Sequence, residues 1–332
     1  MRIATIGYRT MTGLGYQVLD YVKHLKINKV LVADLSKLNG VPLTYWYNGA
    51  RKTNGYPSND DIEWLTDNVD VILLAETPLN YDLYKRAREK GVKTVVVINP
   101  EFYDHIKFPQ YDMPDMIILP SIWKEEEIRQ HAESKGTKVV QLHHPVDREN
   151  FPFKQRTTGN PIHIAGKPAV NDRNGTWDFM RACPDGTVTT QDNEFANRIR
   201  QRSRHSKVYT NIEQPQQIYS MGDILVLPRK YGGNCLPLNE ALSSGMPVIM
   251  PDISPNNHIL PKEWLVSVNP AGFFEPRTRV DIYQADVNAL AERIQWVKEN
   301  IESQSKLADE IANKISWTTL LPRWEEAIRS VL

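Results

Sequence analysis

The 332-residue sequence lacks several features that would narrow its class. Only two cysteines occur, Cys183 and Cys235, too few for a disulfide framework or a zinc site and typical of a reducing compartment. No apolar run approaches the ~18 residues of a membrane-spanning helix. Residues 1–8 lack the basic stretch and apolar core of a signal peptide. We therefore expect a cytoplasmic protein with no metal site and no stable membrane insertion.

Net charge is also absent, because 40 Lys and Arg residues balance 40 Asp and Glu residues. A neutral chain exerts no global attraction on nucleic acid or on an anionic membrane. Any site for an anion must therefore be local.

Short apolar runs rich in β-branched residues recur along the chain, with amphipathic segments between several of them. This alternation indicates parallel sheets covered by helices on both faces. The series breaks at the polar segment 147–161, predicted as a linker, and then resumes. We predict an α/β protein with two doubly wound, Rossmann-like domains facing a cleft, over residues 1–152 and 153–315, and a C-terminal helix over 316–332.

The most informative segment runs from Met221 to Leu242 and reads MGDILVLPRKYGGNCLPLNEAL. A buried strand is predicted to end in a Gly-Gly loop, and a helix with proline in its first turn is predicted to begin near Leu236. The N–H groups of such a helix start favour an anion such as a diphosphate. Glu240 lies about one turn into the helix, where its carboxylate can accept hydrogen bonds from ribose hydroxyls. The alternative is an ordinary strand–turn–helix connection with a solvated glutamate.

Cations occur at the end of another predicted strand. Gly166 and Lys167 end that strand, and Arg173 precedes a helix predicted to begin near Thr176. Both cations can neutralise a diphosphate, Arg173 as a bidentate fork and Lys167 as a point charge. They can equally be solvated charges at a strand end.

A glycine-containing loop also follows the first predicted strand, where Gly13 and Gly15 open a helix. A dinucleotide-binding fingerprint is one interpretation, with Asp34 placed to bind a ribose, but the third glycine is replaced by Val18. The other interpretation, a loop that borders the phosphates of a bound donor and the acceptor, is one that a family resemblance implies.

One stretch is densely basic, and one is aromatic. The basic residues spread around a helix, which favours a solvated surface, although local cations can also bind nucleic-acid phosphates. The aromatic segment 43–49 can stack on a ligand or pack beneath a loop. The members of the basic stretch are Arg198, Arg200, Arg202, Arg204, His205 and Lys207.

The Met221–Leu242 segment resembles the donor-binding signature of the retaining GT-B glycosyltransferases of glycosyltransferase family 4. In that signature a strand ending Leu-Pro-Ser-Arg leads to Glu-Gly-Phe-Gly-Leu-Pro-Leu-x-Glu-Ala. Its second glutamate corresponds to Glu240, whereas the first, which usually contacts the sugar, falls on Gly232. Further segments match the family in order and spacing: His144–Asp147 with Phe151, Pro120–Trp123, Met246–Ile249, and Ser316–Trp317 with Trp324–Glu326.

The resemblance implies a GT-B fold whose C-terminal helix crosses back to the N-terminal domain. It implies a retaining transfer of a sugar from a nucleotide-sugar donor that the second domain holds. UDP-sugar is the first expectation for the donor and GDP-sugar the second, and no cofactor is obligatory. Catalytic groups are then expected at Lys167, Arg173 and Glu101. Donor contacts are expected at Gly13, Gly15, Gly166, Lys167, Arg173, Arg229, Gly233, Asn234, Cys235, Leu236 and Glu240.

The acceptor would contact loops after the first-domain strands, at Glu76–Pro78 and Asn99–Glu101. Glu101 can orient an acceptor hydroxyl or be a charge at a helix start. The acceptor can be a glycan, a small molecule or DNA, since short virus-encoded transferases resemble this compact chain. Two alternatives share the fold: a nucleotide-sugar epimerase, and a binding protein without turnover, which the glycine at 232 favours.

Overall fold

The computed structural model describes residues 1–8, 12–35, 49–53, 55–103, 112–166, 168–169, 171–275 and 279–332. The aromatic stretch 43–48 lies outside these residues. The chain divides into two compact units. Unit 1 comprises Met1–His144 and Leu320–Leu332, and unit 2 comprises Pro145–Thr319.

Unit 1 is built on a parallel seven-stranded sheet in the order β3-β2-β1-β4-β5-β6-β7. Its strands are β1 Ile3–Tyr8, β2 Lys29–Ala33, β3 Arg51–Thr53, β4 Val71–Ala75, β5 Lys93–Val97, β6 Met116–Leu119 and β7 Lys138–Gln141. Its helices are α1 Gly13–His24, α2 Asn59–Thr66, α3 Asp82–Glu89 and α4 Glu125–Ser134, with a 3-10 turn at Pro100–Phe102.

Continuous apolar runs form the central strands of unit 1 because both faces of the sheet are covered. All five residues of β4, Val-Ile-Leu-Leu-Ala, are buried. Helix starts follow local side-chain signals: the Ser58 hydroxyl and the Asp61 carboxylate form a capping box at α2. Sequence periodicity therefore predicts the layers of this unit correctly.

Unit 2 repeats the plan with a parallel six-stranded sheet in the order β10-β9-β8-β11-β12-β13. Its strands are β8 Pro161–Ile164, β9 Thr187–Thr189, β10 Lys207–Tyr209, β11 Ile224–Val226, β12 Val248–Pro251 and β13 Leu265–Val266, followed by an antiparallel hairpin of β14 Val268–Phe274 and β15 Val280–Ala285. Its helices are α5 Thr176–Ala182, α6 Asn193–Arg202, α7 Pro215–Ile218, α8 Leu236–Ser243, α9 Asn256–Ile259, α10 Val287–Glu299 and α11 Ile301–Lys314, with a 3-10 turn at Lys262–Trp264.

The last helix, α12 Trp317–Arg329, contributes its residues from Leu320 onward to unit 1. Trp324 is fully buried there, and its Nε1 donates to the His143 carbonyl at 3.2 Å. Its ring lies 5.5 Å from that of Tyr21 on α1. The prediction that the C-terminal helix returns to the N-terminal domain is confirmed.

Unit boundaries fall at 144/145 and 319/320, whereas the sequence predicts 152/153 and 315/316. The segment predicted as a linker packs into unit 2 instead. Phe151 is 9% exposed in its core, and Arg156 is 3% exposed. Polar composition predicted a linker, but Gln155 and Arg156 of this segment donate to the carbonyls of Glu302 and Ser244 in unit 2.

Arg156 lies at the centre of a buried polar cluster. Its guanidinium donates to the carbonyls of Tyr219 and Gly222 at 2.9 and 3.0 Å and to that of Ser244 at 3.0 Å. Tyr219 follows α7 and Ser244 follows α8, so the cation lies where the negative ends of two helices meet. Burial lowers the pKa of Arg156, and the carbonyl bonds offset the cost of burying its charge.

We expect Arg156→Met to lower the free energy of unfolding of unit 2 by about 3 kcal/mol, because buried carbonyls lose their charged donor. Urea unfolding followed by tryptophan fluorescence measures this loss. Arg148→Met is the control, because Arg148 pairs with Asp309 at the surface and its loss should cost less than about 1 kcal/mol. Equal losses in the two variants would contradict a central role for Arg156.

Candidate functional site

Two loops meet where the strand order of unit 2 reverses. One loop follows β8 and the other follows β11, and these strands are neighbours although they are far apart in sequence. In parallel α/β sheets, ligands bind at the carboxyl ends of the strands at such a switch point. The topology therefore places both predicted donor loops at one place.

The two loops touch at Gly175, which immediately precedes α5. Its φ is +70°, and a Cβ on it would lie 2.2 Å from the Pro228 carbonyl oxygen. A hydrogen bond from the Lys230 N–H to the Arg173 carbonyl, at 2.8 Å, joins the loops a second time. Only glycine combines this backbone conformation with so close an approach.

The loop after β11 leads into α8 as the sequence predicts. The helix begins at Leu236 with proline in its first turn, and the Cys235 side chain does not cap it. The backbone N–H groups at such a helix start favour an anion. The predicted contacts Gly233, Asn234, Cys235 and Leu236 form the approach to this start.

Two arginines converge on Gly232, the position where the signature that this segment resembles carries a glutamate. The ideal position of a Cβ on Gly232 lies 2.4 Å from Nη2 of Arg173 and 2.6 Å from Nη2 of Arg229. The two guanidinium groups are therefore close neighbours. The Arg173 group also lies over the Tyr231 ring, 5.2 Å from its centroid.

Arg229 is 8% exposed, and its Nη1 donates to the Asn234 carbonyl at 3.0 Å. Its buried Nε has no hydrogen-bond partner among the described residues. No described carboxylate forms an ion pair with Arg229. A buried guanidinium in this state favours an anionic ligand.

The third cation where the two loops meet, Lys230, is differently placed. Its Nζ lies 4.0 Å from Oδ2 of Asp172 and 3.9 Å from Oδ2 of Asp178. Asp172 in turn accepts the N–H groups of Thr176 and Trp177 at 3.0 and 3.1 Å. Burial raises the pKa of Asp172, although these two N–H groups oppose the rise. The start of α5 is thus occupied by a carboxylate of the chain itself.

Glu240 lies on α8 and is held by a residue that sequence reasoning missed. The buried Tyr219 hydroxyl donates to Oε2 of Glu240. Burial, and next the Glu240 carboxylate, raise the pKa of Tyr219 well above its usual value, so the hydroxyl stays a donor. Nothing in the local sequence connects the two residues, which are 21 positions apart.

The loop after β8 contains Gly166 with φ +65° and Asn174, whose amide donates to the Ile164 and Ala165 carbonyls at 3.1 Å each. These bonds hold the strand end against the residue that follows Arg173. Lys167, predicted to contact the donor and to act in catalysis, lies outside the described residues.

In unit 1, the predicted contacts lie at carboxyl ends of strands. Gly13 is exposed and Gly15 is buried at the start of α1, where the Thr12 hydroxyl accepts the Gly15 N–H at 3.4 Å. Glu76 follows β4 with φ +67°, and its Oε1 accepts a bond from the Asn99 amide at 2.9 Å.

Glu101, predicted to orient an acceptor hydroxyl, is 8% exposed within the 3-10 turn at Pro100–Phe102. Glu101 is therefore buried, unlike a solvated loop carboxylate. Glu76 and Asn99 are hydrogen-bonded to each other, and Glu101 takes no part in that bond.

The His163 side chain, on β8, joins β11 to the start of α5. Its Nδ1 donates to the Val226 carbonyl at 2.8 Å, and its Nε2 accepts from the Thr176 hydroxyl at 3.0 Å. The ring stacks on Phe179 with 5.0 Å between centroids. Burial lowers the pKa of His163 to about 4.

Comparison with protein-family models finds no match, and neither does comparison with curated protein sequences. Solved structures do match over the whole length. Sucrose-phosphate synthase from Thermosynechococcus elongatus has a TM-score of 0.68 at 14% identity, covering 100% of this chain and 99% of that one. HepE from Anabaena, in complex with UDP, has a TM-score of 0.67 at 10% identity, covering 99% and 100%. A glycosyltransferase from Rickettsia africae has a TM-score of 0.66 at 13% identity, covering 99% and 98%.

These likenesses extend across both units. The chain has the GT-B fold. At these identities the comparisons establish the fold alone.

Two structural features are absent from the described part of the chain. No helix in it is both long enough and apolar enough to cross a bilayer. No group of three or more His, Cys, Asp or Glu side chains in it could hold a metal ion.

We expect Gly175→Ala to destabilise unit 2 by clearly more than the ~1–2 kcal/mol that a left-handed conformation costs a residue with a Cβ. The additional cost comes from the clash with the Pro228 carbonyl. Gly272→Ala is the matched control, since Gly272 has φ +108° but no atom within 4 Å of a Cβ. Urea denaturation of the two variants measures the difference, and equal losses would mean that the loops do not meet at Gly175.

The lowered pKa of His163 predicts a pH-dependent stability. As the pH falls from 6.5 towards 4, the His163 imidazole binds a proton in the unfolded chain but stays neutral in the folded chain. This histidine should therefore reduce the unfolding free energy by about 1.4 kcal/mol per pH unit in that window, with no such loss above it. The difference in unfolding free energy between wild type and His163→Gln, measured from pH 4 to 8, isolates the effect. A constant difference across this range would refute the assignment.

Proposed function

We propose that the chain is a glycosyltransferase that moves a sugar from a nucleotide-sugar donor to an acceptor hydroxyl with retention. The observation that carries this proposal is the convergence of Arg173 and Arg229 on Gly232, beside the start of α8. Two guanidinium groups and a helix start form a site for a diphosphate at the switch point of a GT-B unit.

The donor's parts have distinct partners in this proposal. The diphosphate would lie against Arg173, Arg229 and the N–H groups leading into α8. The ribose hydroxyls would donate to Glu240, whose carboxylate Tyr219 already holds in place. Lys167 would add a further cation to the diphosphate. UDP-sugar is the first choice of donor, supported by the structural neighbour solved with UDP.

The chemical step would break the bond between the sugar's anomeric carbon and the diphosphate. The acceptor oxygen would form the new bond on the same face, and its proton would pass to the departing diphosphate. Arginines that bind more tightly as negative charge develops on the leaving group lower the barrier. No carboxylate is assigned as a nucleophile, and Glu76 with Asn99, or Glu101, would contact the acceptor in unit 1.

A second candidate is a nucleotide-sugar-binding protein without turnover. The glycine at 232 favours it, because the family's sugar-contacting glutamate is absent. Product analysis separates the candidates: a transferred or hydrolysed sugar excludes a pure binding protein, and an isomerised donor would identify a GT-B epimerase.

We expect one class of nucleotide-sugar to raise the melting temperature of the chain, because ligand at 100 times its Kd stabilises the native state by about 2.7 kcal/mol. UDP-, GDP-, ADP- and TDP-sugars are compared. Arg173→Gln should weaken binding about 10-fold or more, since it removes a charge-assisted bond to phosphate. Glu240→Gln should weaken the binding of nucleotide-sugar more than the binding of inorganic diphosphate.

Arg293→Gln and Glu299→Gln, both on α10 of the same unit, are the matched controls and should bind like wild type. If no nucleotide-sugar shifts the melting temperature of well-folded protein, the proposed function is wrong and the likeness is one of fold alone.

A further inference from the structure

The exposed charge of the chain is unevenly distributed. Residues 195–212 contain five Arg and Lys residues and no Asp or Glu, although the whole chain has 40 of each sign. The remainder of the molecule is therefore net acidic. These cations define the α6–β10 basic surface: Arg198, Arg200, Arg202, Arg204 and Lys207.

All five side chains of the α6–β10 basic surface are exposed. None of them forms an ion pair with a carboxylate in the described part of the chain. Exposed cations elsewhere do form such pairs, for example Arg88 with Asp112 at 2.8 Å and Arg279 with Asp281 at 3.0 Å. The surface therefore has a local positive charge, although the net charge of the whole chain is zero.

Aromatic rings hold two of the arginines in place. The Arg198 guanidinium lies 5.2 Å from the Phe195 ring centroid, and that of Arg202 lies 4.2 Å from the Trp177 centroid. The two rings touch edge to face at 5.8 Å. Cations that are already oriented lose less side-chain entropy when they bind a ligand.

The other side of the surface is the edge of the sheet. Arg200 donates to the Val208 carbonyl at 3.0 Å, which joins the end of α6 to β10. The turn between them is fixed by bonds from the Ser203 and Ser206 hydroxyls to the Pro184 carbonyl, at 3.2 and 2.9 Å. On β10, which is an edge strand, Tyr209 is 43% exposed.

We propose that the α6–β10 basic surface binds the sugar-phosphate backbone of a nucleic acid. Unpaired arginines match phosphates bidentately, and an exposed tyrosine beside them offers a face on which a base can stack. A membrane surface fits less well, because Tyr209 is the single large apolar side chain exposed in the described segment 195–212. The carboxylates at the other end of α6 are Asp192, which caps the helix, and Glu194 in its first turn.

This inference is independent of the proposed function, because it concerns binding by the unliganded chain at another surface. Fluorescence anisotropy with a labelled DNA duplex and a labelled single strand, at several salt concentrations, tests it. The triple variant Arg198→Gln, Arg204→Gln, Lys207→Gln removes three cations and leaves Arg200 and Arg202 in their packing contacts. We expect it to weaken binding about 100-fold at 0.1 M salt and to reduce the slope of log Kd against log salt by about two to three.

The matched control loses the same three charges elsewhere, in Lys90→Gln, Arg279→Gln, Arg329→Gln, whose cations pair with neighbouring carboxylates. It should bind nucleic acid like wild type, and both triple variants should keep the wild-type melting temperature. Equal affinity of the test and control variants would overturn the proposal. Equally tight, cluster-dependent binding to phosphatidylserine vesicles would also overturn it, in favour of a membrane surface.

Discussion

The candidate site depends on one close contact, between the backbone of Gly175 and the carbonyl of Pro228. The contact requires a residue without a Cβ, because a methyl group there would lie 2.2 Å from the carbonyl oxygen. It joins the loop after β8 to the loop after β11, and the bond from Lys230 to the Arg173 carbonyl continues the junction. Arg173 reaches Gly232 only because these loops lie so close. Strand order brings the loops to the same edge of the sheet, and Gly175 sets their distance.

The cations at this junction differ in whether a carboxylate lies beside them. Asp172 and Asp178 lie beside Lys230, and Asp172 also fills the start of α5. The Cys235 side chain does not cap the start of α8, and no described carboxylate forms an ion pair with Arg229. The start of α5 therefore differs electrostatically from that of α8, because Asp172 caps it from the preceding loop.

Layers and helix starts could be predicted from the sequence, because apolar runs and proline or glycine at a helix start act over a few residues. Leu236 and Thr176 begin their helices as expected. Contacts between distant residues could not be predicted. The hydroxyl of Tyr219 on Glu240 depends on the packing of α7 against α8, and the segment around Arg156 looked like a linker because its partners are carbonyl groups, which no sequence pattern shows. The resemblance predicted donor loops but did not predict the convergence of the arginines.

Gly232 stands where the signature that this segment resembles has its first glutamate, and this difference is best understood together with the two arginines. The two guanidinium nitrogens already occupy the space that a side chain at position 232 would enter. A glutamate there would place its carboxylate beside both cations and pair with them, which would remove the charge available to a ligand. Glycine adds no carboxylate beside Arg229, and its φ of +116° is one that other residues rarely adopt. In the proposed donor site, Gly232 thus leaves the charge of Arg229 to the phosphates of the donor.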